Sequence, residues 1–261
     1  MTMKWFAHKR IRHTLRYHPV PRDAWNRLMR EAAIFRALSA VERAHLRELS
    51  ALFLRRKEFS GVRGLTVSAE MALAVAAQAC LLILQLGLDC YDDWVGVVIY
   101  PGAFRVVRDS TDTIGLVSRQ ESILSGESWS RGPVILSWDD VARDLAAPEP
   151  GFNVVVHEFA HKLDMRDGSA NGMPPLHPDM ARQQWTEAFS DAFNRLQRQQ
   201  EQQLYSGIDA YGATAPEEFF AVASEYFFTA PHTLHQQFPA VYEQLVLFYR
   251  QDPASRQKMT S

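Results

Sequence analysis

Residues 154–161 read Val-Val-Val-His-Glu-Phe-Ala-His. Two histidines four residues apart, with a glutamate directly after the first, suit one kind of chemistry. On a helix, positions i and i+4 share a face one turn apart, so both imidazoles can reach a single ion. Glu158 then projects beside that ion, placed to take a proton from bound water. Zinc lowers the pKa of such a water from about 15.7 to near 7, which makes a nucleophile at neutral pH. Chance supplies this pattern in roughly two chains per hundred of similar His and Glu content, so context has to carry the rest. The context is an apolar, helix-compatible run containing Val154, Val155, Val156, Phe159, Ala160 and Leu163, with Asn153 as the expected cap.

A catalytic zinc takes three protein ligands and keeps one position open. Asp167 lies six residues after the second histidine, but Asp164 stands where a glycine would have to turn the chain toward it. His177 lies in a loop, where a lone histidine is usually solvated. The stronger candidate is in Pro216-Glu217-Glu218-Phe219-Phe220-Ala221-Val222-Ala223-Ser224-Glu225. Pro216 suits a first helical position, and carboxylates on so apolar a helix are costly unless paired. Glu218 and Glu225 are seven apart and share a face, whereas Glu217 points about 100° away. Glu218 is therefore the expected third ligand, Glu217 a first-turn acid suited to the helix dipole, and Glu225 a carboxylate behind the ligands.

These residues need elements to hold them. Helical spacing runs from about Arg22, past the break at Pro19 and Pro21, and again from Leu38 to Phe53; residues 1–60 read as helical until Gly61 and Gly64. An Ala-rich apolar helix spans about Ser68 to Leu86. Its run from Met71 to Leu88 approaches membrane-spanning length, but Gln78, Gln85 and Gly87 break it, and Glu70, Asp89, Asp92 and Asp93 flank it. It reads as a buried core helix. Four β-rich runs follow, Trp94–Tyr100, Phe104–Val107, Ile114–Val117 and Val134–Trp138, read as a small mixed sheet. The motif helix (Gly151 to Asp164) comes next, then a Gly/Pro-rich loop (Arg166 to Pro178). Helices at about Asp179–Leu204, Pro216–Thr229 and Phe238–Arg250 complete an α+β arrangement. An N-terminal helical region, 1–64, is expected to pack on a core of 65–261 as one compact unit.

Bulk properties narrow the class. The chain has 261 residues, 47% of them hydrophobic, and a formal net charge of −2. That balance, with no recognition motif, argues against direct nucleic-acid binding. Residues 1–60 hold about half of the Lys and Arg. A solvated face is the simple account, and a docking surface for an acidic partner or a membrane surface the alternative. Cys80 and Cys90 are read as reduced core residues. The basic N-terminus lacks the hydrophobic stretch of a secretory signal, so no membrane insertion and a cytoplasmic address are expected.

The segments His157-Glu-Phe-Ala-His-Lys-Leu-Asp164 and Tyr211-Gly-Ala-Thr-Ala-Pro-Glu-Glu-Phe-Phe-Ala221 resemble the lethal factor family of zinc toxins. That resemblance implies His157, His161 and Glu218 as zinc ligands and Glu158 as the base. It further implies Tyr211 as oxyanion donor and Asp164 as a residue orienting a histidine. A second acid of the toxin helix falls here on Val222. Over its whole length the chain is similar to the Mlc titration factor A family of zinc metallopeptidases, through the segments 132–141, 157–164 and 216–228. This implies a zincin-like, gluzincin-type fold, one Zn2+ per chain and aminopeptidase-like action on peptides. It also implies binding to the glucose-responsive transcriptional repressor Mlc. A competing expectation is a non-catalytic protein that sequesters a repressor, with zinc structural.

Overall fold

The computed structural model describes residues 11–102, 108–111, 117–120, 132–204 and 206–258. After a short helix α1 (11–17) come α2 (Arg22–Glu31) and α3 (Ala40–Arg56), then strand β1 (Glu58–Gly61) and helix α4 (Ala69–Leu82). Strands β2 (Gly96–Tyr100), β3 (Arg108–Thr111), β4 (Val117–Gln120) and β5 (Val134–Ser137) follow, and α5 (Trp138–Ala146) begins directly on β5. The motif helix is α6 (Val154–Asp164). Helices α7 (Arg182–Glu201), α8 (Pro216–Thr229), α9 (Pro231–Gln237), α10 (Pro239–Tyr249) and α11 (Pro253–Lys258) complete the chain.

The central sheet is parallel, in the order β1-β2-β5, with Phe59 opposite Val97 and Val98 opposite Ile135. This corrects the expected mixed sheet. Among the described residues only β3 and β4 pair antiparallel, and they form a separate ribbon. The expected strand Phe104–Val107 and all of Ile114–Val117 except Val117 lie outside the described residues. Residues 58–60, expected to be helical, form an edge strand with Gly61 instead. The α3 helix ends at Lys57, whose buried ammonium donates to the carbonyls of Tyr91 and Trp94 and thereby ties the helix end to the start of β2.

Helix α4 is buried nearly all round, as its composition predicts, and Ser68 caps it by accepting the Met71 N–H. Among the described residues no helix is long and apolar enough to cross a membrane. Cys80 and Cys90 are both free thiols; the first is buried and the second half-buried.

Helix α6 packs against α8, α4 and β5. Its anchor is Phe159, fully buried among Phe53, Tyr91 and Trp94 with ring centroids 5.8, 5.3 and 5.5 Å away. The Tyr91 and Trp94 contacts are edge-to-face, an arrangement that adds about 0.5–1.5 kcal/mol per pair to the burial itself. Glycine is required where α6 begins: Gly151 has φ +88°, and a Cβ there would stand 2.1 Å from the Tyr226 ring. The close approach lets the Gly151 N–H reach Thr229 Oγ1 at the end of α8 (2.9 Å).

Candidate metal centre

Asn153 is extended and caps α6, its Oδ1 accepting the Val156 N–H at 2.8 Å. The helix then turns His157 and His161 onto one buried face, with ring centroids 4.8 Å apart. Pro216 opens α8, and the two helices lie against each other so that Glu218 meets both histidines. Glu218 Oε2 is 3.1 Å from His157 Nε2 and 3.4 Å from His161 Nε2, and the two Nε2 atoms are 3.2 Å apart. Ligand-type atoms of His157, His161 and Glu218 all lie within 4.8 Å of one another.

The other nitrogen of His157 is also engaged. Its Nδ1–H donates to Glu225 Oε1 at 2.8 Å, two turns along α8 from Glu218. This holds the ring with Nε2 turned toward Glu218 and His161. Glu225 Oε2 in turn accepts the backbone N–H of Asn153 at 2.5 Å. Burial pushes the Glu218 carboxyl up, but the hydrogen bonds from His157 and His161 outweigh it and hold it at about 2. Two ring nitrogens with one carboxylate oxygen, buried and converging at one point, form the donor set of a divalent cation such as zinc. The residues present therefore fit a metal ion.

Glu158 follows His157 and is half-buried beside the cluster. Tyr211 sits on the short turn Ala210–Ala213, its ring 6.0 Å from that of His157. Burial and the carboxylates of Glu218 and Glu158 push its phenol up, so the hydroxyl keeps its proton and remains a donor.

The structure separates the remaining candidates. Asp167 is exposed in a turn after α6, and His177 Nε2 donates to the Phe248 carbonyl at 2.8 Å, so neither joins the cluster. Glu217 is half-exposed in the first turn of α8. Asp164 is fully buried, and its Oδ2 accepts the N–H groups of Asn171 and Gly172 at 2.9 and 2.8 Å. It thus fastens the 166–178 loop. Its Oδ1 and His161 Nδ1 are both buried without a hydrogen-bond partner among the described residues. The carboxylate that meets the Nδ1 side of a motif histidine is that of Glu225, on His157. Sequence reasoning read Asn153 only as a cap and Gln78 only as a break in an apolar run, although Gln78 Oε1 accepts from Asn153 Nδ2 at 2.7 Å.

This arrangement lies within a region with known counterparts. The model of the family described as glucose-regulated metallo-peptidase M90 matches residues 4–250. The chain belongs to that family. It is also 40% identical over 223 residues to Mlc titration factor A of Klebsiella pneumoniae, covering 85% of this chain and 83% of the relative. The protein of the same name from Salmonella arizonae is 42% identical over 224 residues, covering 84% and 87%. That of Salmonella typhimurium is 41% identical over 229 residues, covering 86% and 84%. As an M90 member the chain is a metallopeptidase by family, and its one cluster of metal-ligand type among the described residues joins the two motif histidines of α6 to Glu218 of α8.

Proposed function

We propose that the protein is a zinc-dependent peptidase with a gluzincin-type site, acting as an aminopeptidase. The observation that carries this reading is the convergence of His157, His161 and Glu218 within 4.8 Å. These three residues would hold one Zn2+. When bound, zinc polarises a scissile carbonyl and acidifies water. Glu158 takes the proton of the attacking water and passes it to the leaving amine. The Tyr211 hydroxyl donates to the oxygen that gains negative charge as the carbonyl carbon becomes tetrahedral. Glu225 keeps the His157 ring in the tautomer and orientation that binding requires. Among the described residues β5 pairs on one side only, and an extended peptide would add along its other edge.

The name of the relatives supports a second element. They are called titration factors of Mlc, and a link between this chain and such a transcriptional repressor follows as a proposal. A cytoplasmic address accompanies it. In the rival form of this reading, repressor sequestration is the whole function and zinc is structural, with the basic N-terminal helices as the docking surface. Glu158→Ala separates the two: hydrolysis should collapse while repressor binding persists.

The deciding experiment measures the metal content of wild type and His161→Ala, with hydrolysis of a small peptide panel on both. About one zinc per wild-type chain, lost together with hydrolysis in the variant, is expected. No zinc in wild type, with hydrolysis equal in both proteins, would remove the metallopeptidase assignment from this site.

A further inference from the structure

The N-terminus of α6 is held by more than a cap. Every polar group of Asn153 is used. Its side-chain Oδ1 accepts the Val156 N–H, and its carbonyl accepts the His157 N–H at 3.0 Å. Its backbone N–H donates to Glu225 Oε2, and its side-chain Nδ2 donates to Gln78 Oε1 at 2.7 Å. Asn153 is thus bonded directly to the backbone of one histidine and to the carboxylate that orients that same histidine.

Gln78 closes the far end. It is fully buried in α4, between Ala77 and Ala79, in a helix whose other buried residues are Met, Leu, Ala, Val and Cys. A primary amide there is costly unless both its ends are bonded. Both are: Nε2 donates to the Ala74 carbonyl of its own helix at 3.1 Å, and Oε1 faces Asn153. Any apolar residue would pack in this helix without that cost. What the amide adds is a directional tie from the rigid core helix to Asn153, which aliphatic packing cannot supply.

We propose that Gln78 is a positioning residue for the metal centre, acting through Asn153 and Glu225 to fix His157. It sits three hydrogen bonds from the His157 ring, by way of the Asn153 side chain, the Asn153 N–H and the Glu225 carboxylate. With the tie in place, Glu225 divides its two oxygens between Asn153 and His157. Without it, the Asn153 amide has lost its acceptor, the first turn of α6 can shift, and Glu225 loses a fixed donor for Oε2. The inference rests on the metal-binding reading of His157, His161 and Glu218.

The test is zinc affinity of the full chain by competition with a chromophoric chelator, alongside the melting temperature of the metal-free protein. Gln78→Met keeps length and apolar packing but removes the acceptor; Asn153→Ser keeps a capping oxygen but removes the amide. Residues directly behind metal ligands typically contribute about 10–100-fold to affinity, and one step further out a loss of about three- to tenfold is expected for either variant. The double variant should lose no more than the larger single loss, because both act through one bond. If Gln78→Met does not fold, Asn153→Ser decides alone. Zinc affinity within twofold of wild type, with only the melting temperature lowered, would make Gln78 a packing residue and overturn the proposal. Wild type that binds no zinc would instead overturn the metal-binding reading on which it rests.

Discussion

Replacing Glu225 by Gln would test how the site is oriented. The carboxylate accepts two bonds, from the His157 Nδ1–H at 2.8 Å and from the Asn153 N–H at 2.5 Å, and it is buried. A glutamine retains one acceptor oxygen, so its NH2 must face one of two donors. One charge-assisted bond is lost, worth about 1.5–3 kcal/mol. Facing His157, the NH2 would leave Nδ1–H unpaired or force a proton onto Nε2, the atom that meets Glu218 and His161. If most of that loss falls on the metal-binding form, zinc affinity drops by about 10–100-fold, in line with other carboxylates behind metal-bound histidines. Chelator competition at neutral pH measures it, and the melting temperature of the metal-free chain controls for general damage. Glu225→Gln with zinc affinity within twofold of wild type would refute the claim that Glu225 orients His157.

Three further outcomes follow from the same geometry. Glu158→Gln should retain zinc yet slow peptide hydrolysis by about 10²–10⁴-fold in kcat, read by metal content and steady-state kinetics on one preparation. Tyr211→Phe should lower kcat by about 10²–10³-fold with little change in KM if the hydroxyl serves the oxyanion; a pure KM effect would make it a substrate-binding group. Away from the centre, Glu42 accepts from Ser39 at the start of α3 and pairs with Arg256 of α11 at 2.5 Å. Burial pushes its carboxyl up, but Ser39 and Arg256 outweigh this and hold it below its usual range. A depressed folded-state pKa means stability that is present above the unfolded value near 4.5 and is lost as pH falls through the folded one. Glu42→Gln should therefore cost about 1 kcal/mol at pH 7, and the gap to wild type should narrow in urea titrations as pH falls below 4.5 and through the lower folded-state pKa.

How far the sequence foretells this arrangement depends on what each residue's signal is made of. The motif helix is legible because an N-cap asparagine and an apolar run surround the histidines, and α6 begins at Val154 after the Asn153 cap. Helix α8 is legible to the residue, since Pro216 starts it and the apolar run ends at Thr229. Strand β1 is not. Glu58, Phe59 and Ser60 continue a helical stretch without a breaker before Gly61, and only pairing with β2 shows them extended. The sheet's parallel order is equally hidden, because strand direction depends on the crossovers and not on the alternation of the strands themselves. Gln78 looks like a flaw in an apolar helix until its partner, Asn153, appears 75 residues away.

The seven-residue spacing of Glu218 and Glu225 explains why one helix can serve both sides of one imidazole. Positions seven apart fall about 20° short of two full turns, so both carboxylates point toward α6. Their backbones are separated by about 10.5 Å of helix rise. The His157 ring lies between them, with Glu218 Oε2 3.1 Å from Nε2 and Glu225 Oε1 2.8 Å from Nδ1. A spacing of three or four would put both acids on one edge of the ring and leave the other nitrogen unpaired. A spacing of five or six would turn one of them away from α6 altogether. The burial of both acids on an otherwise apolar helix is then understandable. Each is costly alone, and each is offset by the same histidine, which couples the candidate third ligand to the residue that orients the first.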